Sequence, residues 1–209
     1  MRPRSLRALH AALSRFANAD AAARPAIDAQ IWATFGTLGA PLVLDMAGFS
    51  QTVKRRGVVP FLAMVQRMQA LSRPHVEAHG GKVIKFEADN LFACFVDVPQ
   101  AFAAAQRILE ACAGESVALP EDRITVSIGI DYGQLLEVPG VDYFGECVNT
   151  ASKLGEDLAG AGEILLTRGA ALRLPATDRM AFTEAQAEAS AIQYDVFSWS
   201  PERAGATRA

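Results

Sequence analysis

Three cysteines in 209 residues, Cys94, Cys112 and Cys147, stand in apolar or mixed surroundings without metal-ligand spacing. They exclude a disulfide framework and a thiolate zinc site, and an odd, unframed set fits a reducing cytoplasm. No apolar run approaches the roughly 20 residues of a membrane span. The longest uncharged stretch, residues 29–44, is broken by Gln30, Thr34, Gly36, Thr37, Gly39 and Pro41. It reads as helix, turn and strand. A signal-peptide core is also missing, because Arg15, Asp20 and Arg24 interrupt the stretch after Arg2, Arg4 and Arg7. Basic excess is missing too. The net charge of −3 provides no field to gather nucleic acid, so local cations or metal ions must hold any polyanionic substrate.

What is present suits one substantial domain: 51% hydrophobic and 21% charged residues. Residues 5–38 carry Leu6, Leu9, Leu13 and Phe16 at helical spacing, then Pro25 at a helix start, followed by Ile27, Ile31 and Phe35. We read residues 1–39 as a helical lead-in, 40–200 as the main domain and 201–209 as a disordered tail. A short apolar strand at residues 41–44 runs into Asp45 and a turn at Gly48. A helix over residues 60–78 and a hairpin over 82–96, turning at residues 87–90, come next. After a helix opened by Pro99 come a strand at 124–130, a turn at Gly133, a helix over 148–158 and strands at 163–167 and 192–197. The order βαββαβ predicts an α+β, ferredoxin-like core: an antiparallel sheet with helices packed on one face.

Asp45 alone reads as a helix cap or turn former, and Asp89 as a hairpin turn residue. Together they say more. In a ferredoxin-like sheet the first strand lies beside the hairpin, so both carboxylates converge at one edge, and paired carboxylates bind Mg²⁺ with substrate phosphates. The backbone amides of Met46, Ala47, Gly48, Phe49 and Ser50, leading into a helix, are placed to cradle phosphate oxygens.

Four blocks carry a resemblance to the class III nucleotidyl cyclases, the adenylate and guanylate cyclase catalytic domains. They are LDMAGFS (44–50), HGGKVIKFEAD (79–89), VSIGIDYG (126–133) and DYFGECVNTASK (142–153), and GEIL (162–165) also fits. The resemblance covers roughly residues 40–200. It implies closure of a nucleoside triphosphate to a 3′,5′-cyclic nucleotide by two divalent cations, Mg²⁺ or Mn²⁺. Asp45 and Asp89 stand at its metal-ligand positions, with the Met46 carbonyl as a further ligand. Lys85 and Asp142 match its adenine-reading pair, and Asn149 its ribose-orienting residue. Lys153 stands where the family has its transition-state Arg. The family's sites form between two chains, so the partners expected are a nucleoside triphosphate and a second copy in a homodimer, with no nucleic acid and no membrane span.

The departures are Ala88 for a usual Gly, Lys153 for Arg, and Ser127 at an often basic position. No Lys or Arg lies between Arg179 and Arg203 to match the late phosphate-binding Lys. Lys54, Arg55 and Arg56 are either substitutes or a solvated basic face. Taken singly, Lys85 also reads as a solvated strand residue, Asp142 as a turn residue and Asn149 as an ordinary helix-start polar residue. Compact, divergent members of the family include pyrimidine cyclases, which make cyclic UMP or cyclic CMP as an antiphage signal, and this chain is similar to them in architecture. An alternative of another class is a catalytically silent module that binds nucleotide or dimerises.

Overall fold

The computed structural model describes residues 4–189 and 191–202, without the side chains of residues 49–52. Residues 203–209, most of the expected tail, lie outside the described residues. Helices α1 (Leu6–Asn18) and α2 (Arg24–Phe35) lead into β1 (Gly36–Met46), α3 (Phe49–Arg56) and α4 (Val58–Ala78). The hairpin β2 (Lys82–Glu87) and β3 (Asn90–Phe95), α5 (Val98–Gly114), β4 (Val126–Ile130), β5 (Gly133–Val138) and β6 (Asp142–Phe144) come next. Then come α6 (Glu146–Ser152), a π-helical segment (Lys153–Leu158), β7 (Ile164–Thr167), the short α7 (Arg168–Ala171) and α8 (Ala176–Arg179), and the hairpin β8 (Thr183–Ala189) and β9 (Ile192–Trp199).

The main sheet runs β2-β3-β1-β4-β7-β9-β8, antiparallel except for the β4–β7 pair. This is the α+β, ferredoxin-like core expected. Strand β1 is longer than the apolar run suggested because it changes partner: Gly36–Gly39 pair with β5, and Leu42–Met46 with β4. Pro41 falls at the changeover, where its missing N–H costs no ladder bond. Its carbonyl accepts from Asp131 N at 3.3 Å.

Alternation along β1 separates two faces. Leu42, Leu44 and Met46 enter the main core with Met64, Met68, Phe102 and Ile108 of α4 and α5. Complete burial of each such side chain contributes roughly 1.5–3 kcal/mol. Helices also cover the other face, unlike the single covered face expected. A Cβ on Gly129 would lie 2.2 Å from the Ala151 carbonyl and 2.4 Å from Gly155 N. A Cβ on Gly155 would lie 2.6 Å from the Val43 carbonyl. Two facing glycines let α6 and the π segment rest directly on β1 and β4. The N-terminal helices form a smaller cluster, in which Leu9, Ile31 and Phe35 pack with Val138 of β5.

Candidate active site

Asp45 is the penultimate residue of β1 and pairs with Ser127 of β4. On its other side Val43 pairs with Phe92 and Leu44 with Leu91 of β3. Asp45 thus emerges on the face of Val43 and Phe92, away from the α4/α5 core. Asp89 lies in the two-residue turn between β2 and β3, at the same end of the sheet, and is 7% exposed. The expected convergence is therefore present. Its electrostatic signature is a raised pKa at both acids. Burial, then the charge of Asp89, then that of Glu156 push Asp45 up to about 7. Burial raises Asp89.

Glu156 and Asp157, from the π segment, add to this field. Burial, then Asp157, raise Glu156, and Asp89 and Glu87 act on it in the same direction. The sequence reading missed Glu156, whose position depends on the Gly129–Gly155 contact. Among the described residues no ion pair reaches Asp45 or Asp89, and no group of three or more His, Cys, Asp or Glu side chains forms a metal cage. The donors present are oxygens: two carboxylates, the Met46 carbonyl beside them, and the buried Asn90 Oδ1, which has no hydrogen-bond partner among the described residues. Oxygen-only donors with excess negative charge fit Mg²⁺ or Mn²⁺.

The phosphate cradle is narrower than expected. Ala47 N donates to the Thr125 carbonyl at 2.9 Å, which commits one of the five amides. Gly48, at φ +81°, turns the chain into α3. Phe49 and Ser50 open that helix, where first-turn amides lack intrahelical acceptors. Lys54, Arg55 and Arg56 occupy the last turn of α3, and Arg56 is held by Asp122 at 2.6 Å. Eight helical residues span about 12 Å, so this basic run is at the far end from the first-turn amides.

Lys85 and Asp142, 57 residues apart, meet at 3.2 Å. Asp142 opens β6, and its other oxygen accepts from Tyr143 N at 2.9 Å. Lys85 also reaches Glu87 at 2.9 Å and sits 4.9 Å from the Phe92 ring centroid. Glu87, two residues along β2, is a second carboxylate on this ammonium that the motif did not single out. Asn149 is exposed on α6. Lys153 opens the π segment and pairs with Asp157 at 2.7 Å. Among the described residues no hydrogen bond or ion pair joins Asp45 or Asp89 to Lys85, Asp142 or Asn149 of the same chain.

The fold matches that of class III cyclase catalytic domains among the solved structures. A Rhizobium meliloti (strain 1021) protein, provisionally named adenylate cyclase 3, is 30% identical over 133 residues, 63% of this chain. The chain spans only 22% of that relative's length. An adenylate/guanylate cyclase/hydrolase structure from Silicibacter pomeroyi superposes with a TM-score of 0.67 at 27% identity, covering 79% of this chain and 98% of its own. The guanylate cyclase domain of Catenaria anguillulae RhGC, solved in complex with GTP, gives 0.62 at 16% identity, over 77% and 94%. No family model matches the chain. The sequence and structural likenesses are to adenylate and guanylate cyclases.

Proposed function

We propose that the chain is a nucleotidyl cyclase that converts a nucleoside triphosphate to its 3′,5′-cyclic monophosphate and pyrophosphate. The observation that carries this reading is the convergence of Asp45 and Asp89 at one sheet edge, with raised pKa values and no basic partner among the described residues. In the reaction the ribose 3′-oxygen loses its proton and bonds to the α-phosphorus. The bond from that phosphorus to the bridging oxygen breaks, and pyrophosphate leaves with the electron pair. Two divalent cations, when bound, supply acidification of the 3′-hydroxyl and neutralisation of the triphosphate.

The chain's own residues do the holding. Asp45, Asp89 and the Met46 carbonyl hold the cations, and the first-turn amides of α3 take phosphate oxygens. Lys85 and Asp142 read the base, Asn149 orients the ribose, and Lys153 offers its ammonium to the charge that develops in transfer. Lys153 lacks the planar fork of an arginine, so it acts as a point charge.

The carboxylate group and the base-reading group belong to different subunits of a homodimer, each completing the other's site. Mixing Asp45→Ala with Asn149→Ala protein in equal amounts tests this. Random exchange makes half the dimers mixed with one intact site each, so about a quarter of wild-type activity should return. No recovery despite demonstrated exchange rejects the shared site.

The base follows from donors and acceptors. Asp142 accepts from an exocyclic amine, and Lys85 donates to a ring nitrogen. Adenine satisfies both, cytosine carries the same two groups, and uracil lacks the amine; a site built on such bonds penalises a base that leaves them unpaired. The test is incubation with ATP, GTP, CTP and UTP and Mn²⁺, with products identified by mass spectrometry. Predominant cyclic AMP is expected. Predominant cyclic UMP or cyclic CMP moves the chain to the pyrimidine, antiphage-type reading. No product from any of the four, in folded dimeric protein, leaves the silent module.

A further inference from the structure

Asn90 stands out among the polar residues at this edge. It is the first residue of β3 and pairs with Glu87 across the hairpin. It directly follows Asp89. The β1–β3 register pairs Val43 with Phe92 and Leu44 with Leu91, and one further step sets Asn90 beside Asp45. Strand alternation puts both side chains on the same face. The Asn90 Oδ1 atom is buried, and no donor reaches it among the described residues. A buried acceptor without a partner loses its hydration and gains nothing in return, so such an atom calls for an explanation. Its acidic neighbours make no hydrogen bond to it among the described residues. Asp45, Asp89 and Glu87 flank it, and the field of Glu156 reaches the same carboxylates.

We infer that Asn90 Oδ1 is a further, neutral oxygen ligand for a divalent cation held by Asp45 and Asp89. The inference rests on the metal-dependent reading above. A neutral amide oxygen adds a donor where a third carboxylate would add repulsion to an already acidic cluster. Asparagine oxygens are ordinary ligands of hard cations. The assignment concerns cation affinity, so it is readable without nucleotide and without turnover.

The experiment titrates full-length protein with Mn²⁺ alone, following free Mn²⁺ by electron paramagnetic resonance, alongside the thermal midpoint with and without the ion. Asn90→Leu should weaken Mn²⁺ binding at least about tenfold, while the metal-free midpoint holds or rises because the stranded acceptor is gone. Asn90→Asp should tighten binding by adding charge to the donor set, and it decides the matter if the leucine variant does not fold. Wild-type Mn²⁺ affinity in a folded Asn90→Leu protein overturns the inference, and so does unchanged affinity in Asn90→Asp. Asp45→Asn separates the two levels. Loss of binding there with none in Asn90→Leu rejects only the asparagine. No Mn²⁺ binding by wild type at millimolar concentration rejects both the asparagine and the metal reading.

Discussion

Along one hairpin, β2–β3, charge is handled in two ways. At Lys85 an ammonium has two carboxylates, Glu87 at 2.9 Å and Asp142 at 3.2 Å, and the Phe92 ring beside it. That region is neutralised from within the chain before any ligand arrives. At the hairpin tip, Asp89 and Asp45 meet with Glu156 nearby, and among the described residues no ion pair answers them. Ligands therefore face different costs. On the proposed function, a base entering at Lys85 must replace an existing ion pair, so its affinity is discounted and selectivity comes from how well it matches the bonds it displaces. On the same proposal, a cation entering at Asp45 relieves repulsion and desolvation already present.

The sharpest way to break this contrast is to remove the carboxylates. Asp45→Ala or Asp89→Ala should lower cyclisation at least about 1,000-fold, because on the proposed function the cations that stabilise the transferring phosphoryl group would lose their anchor. Metal-free thermal stability should not fall. Appreciable turnover in either folded variant would refute the assignment.

The other end is tested by Asp142→Ala, which leaves Lys85 with Glu87 alone. Preference for adenine, with its 6-amino group, over guanine, with a 6-oxo group, should fall by roughly 100-fold in a competition between ATP and GTP. Unchanged preference would show that the pair is only structural.

Acidity gives a third test. Asp45 holds its proton more tightly folded than unfolded, so its contribution to stability is full below about pH 4 and is lost as pH rises through about 7. Asp45→Asn should flatten that loss and raise the metal-free melting midpoint at pH 8 by roughly 4 °C, with no gain at pH 4. Mn²⁺ should reverse the order at pH 8 by stabilising wild type alone. Parallel pH curves for the two proteins would contradict the buried-acid account.

The smallest effect lies at the hairpin turn. Ala88 sits at φ +51°, where a side chain is strained. Ala88→Gly should stabilise the protein by about 0.5–1 kcal/mol, after the entropy glycine adds to the unfolded chain. Chemical denaturation measures it, and a destabilised variant would mean the turn relies on the methyl group.

Much of this was present in local pattern. The alternation of residues 124–130, the apolar run into Asp45 and the hairpin over 82–96 announced the strands that meet at the edge. The Asp45–Asp89 convergence came from chain order, because a hairpin beside the first strand has few places to put its turn. Strand β8 was illegible for a local reason. Its sequence TEAQAEA lacks β-branched residues beyond its first and favours helix by propensity; pairing along β9 overrides it. Helix cover on both faces was hidden because Gly129 and Gly155 are harmless apart and meaningful only when they face each other.

Sequence alone therefore determined the order of the core elements, the α+β class and the residue types able to do phosphate and metal chemistry, since these depend on periodicity and short spacing. Only the tertiary structure decided that Glu87 shares Lys85 with Asp142, that Glu156 enters the field of Asp45, that Ala47 spends its amide on Thr125, and that Asn90 carries a stranded oxygen. Each of these depends on the register or on which face a side chain leaves. A one-residue change in register would exchange those faces without altering a letter of the sequence.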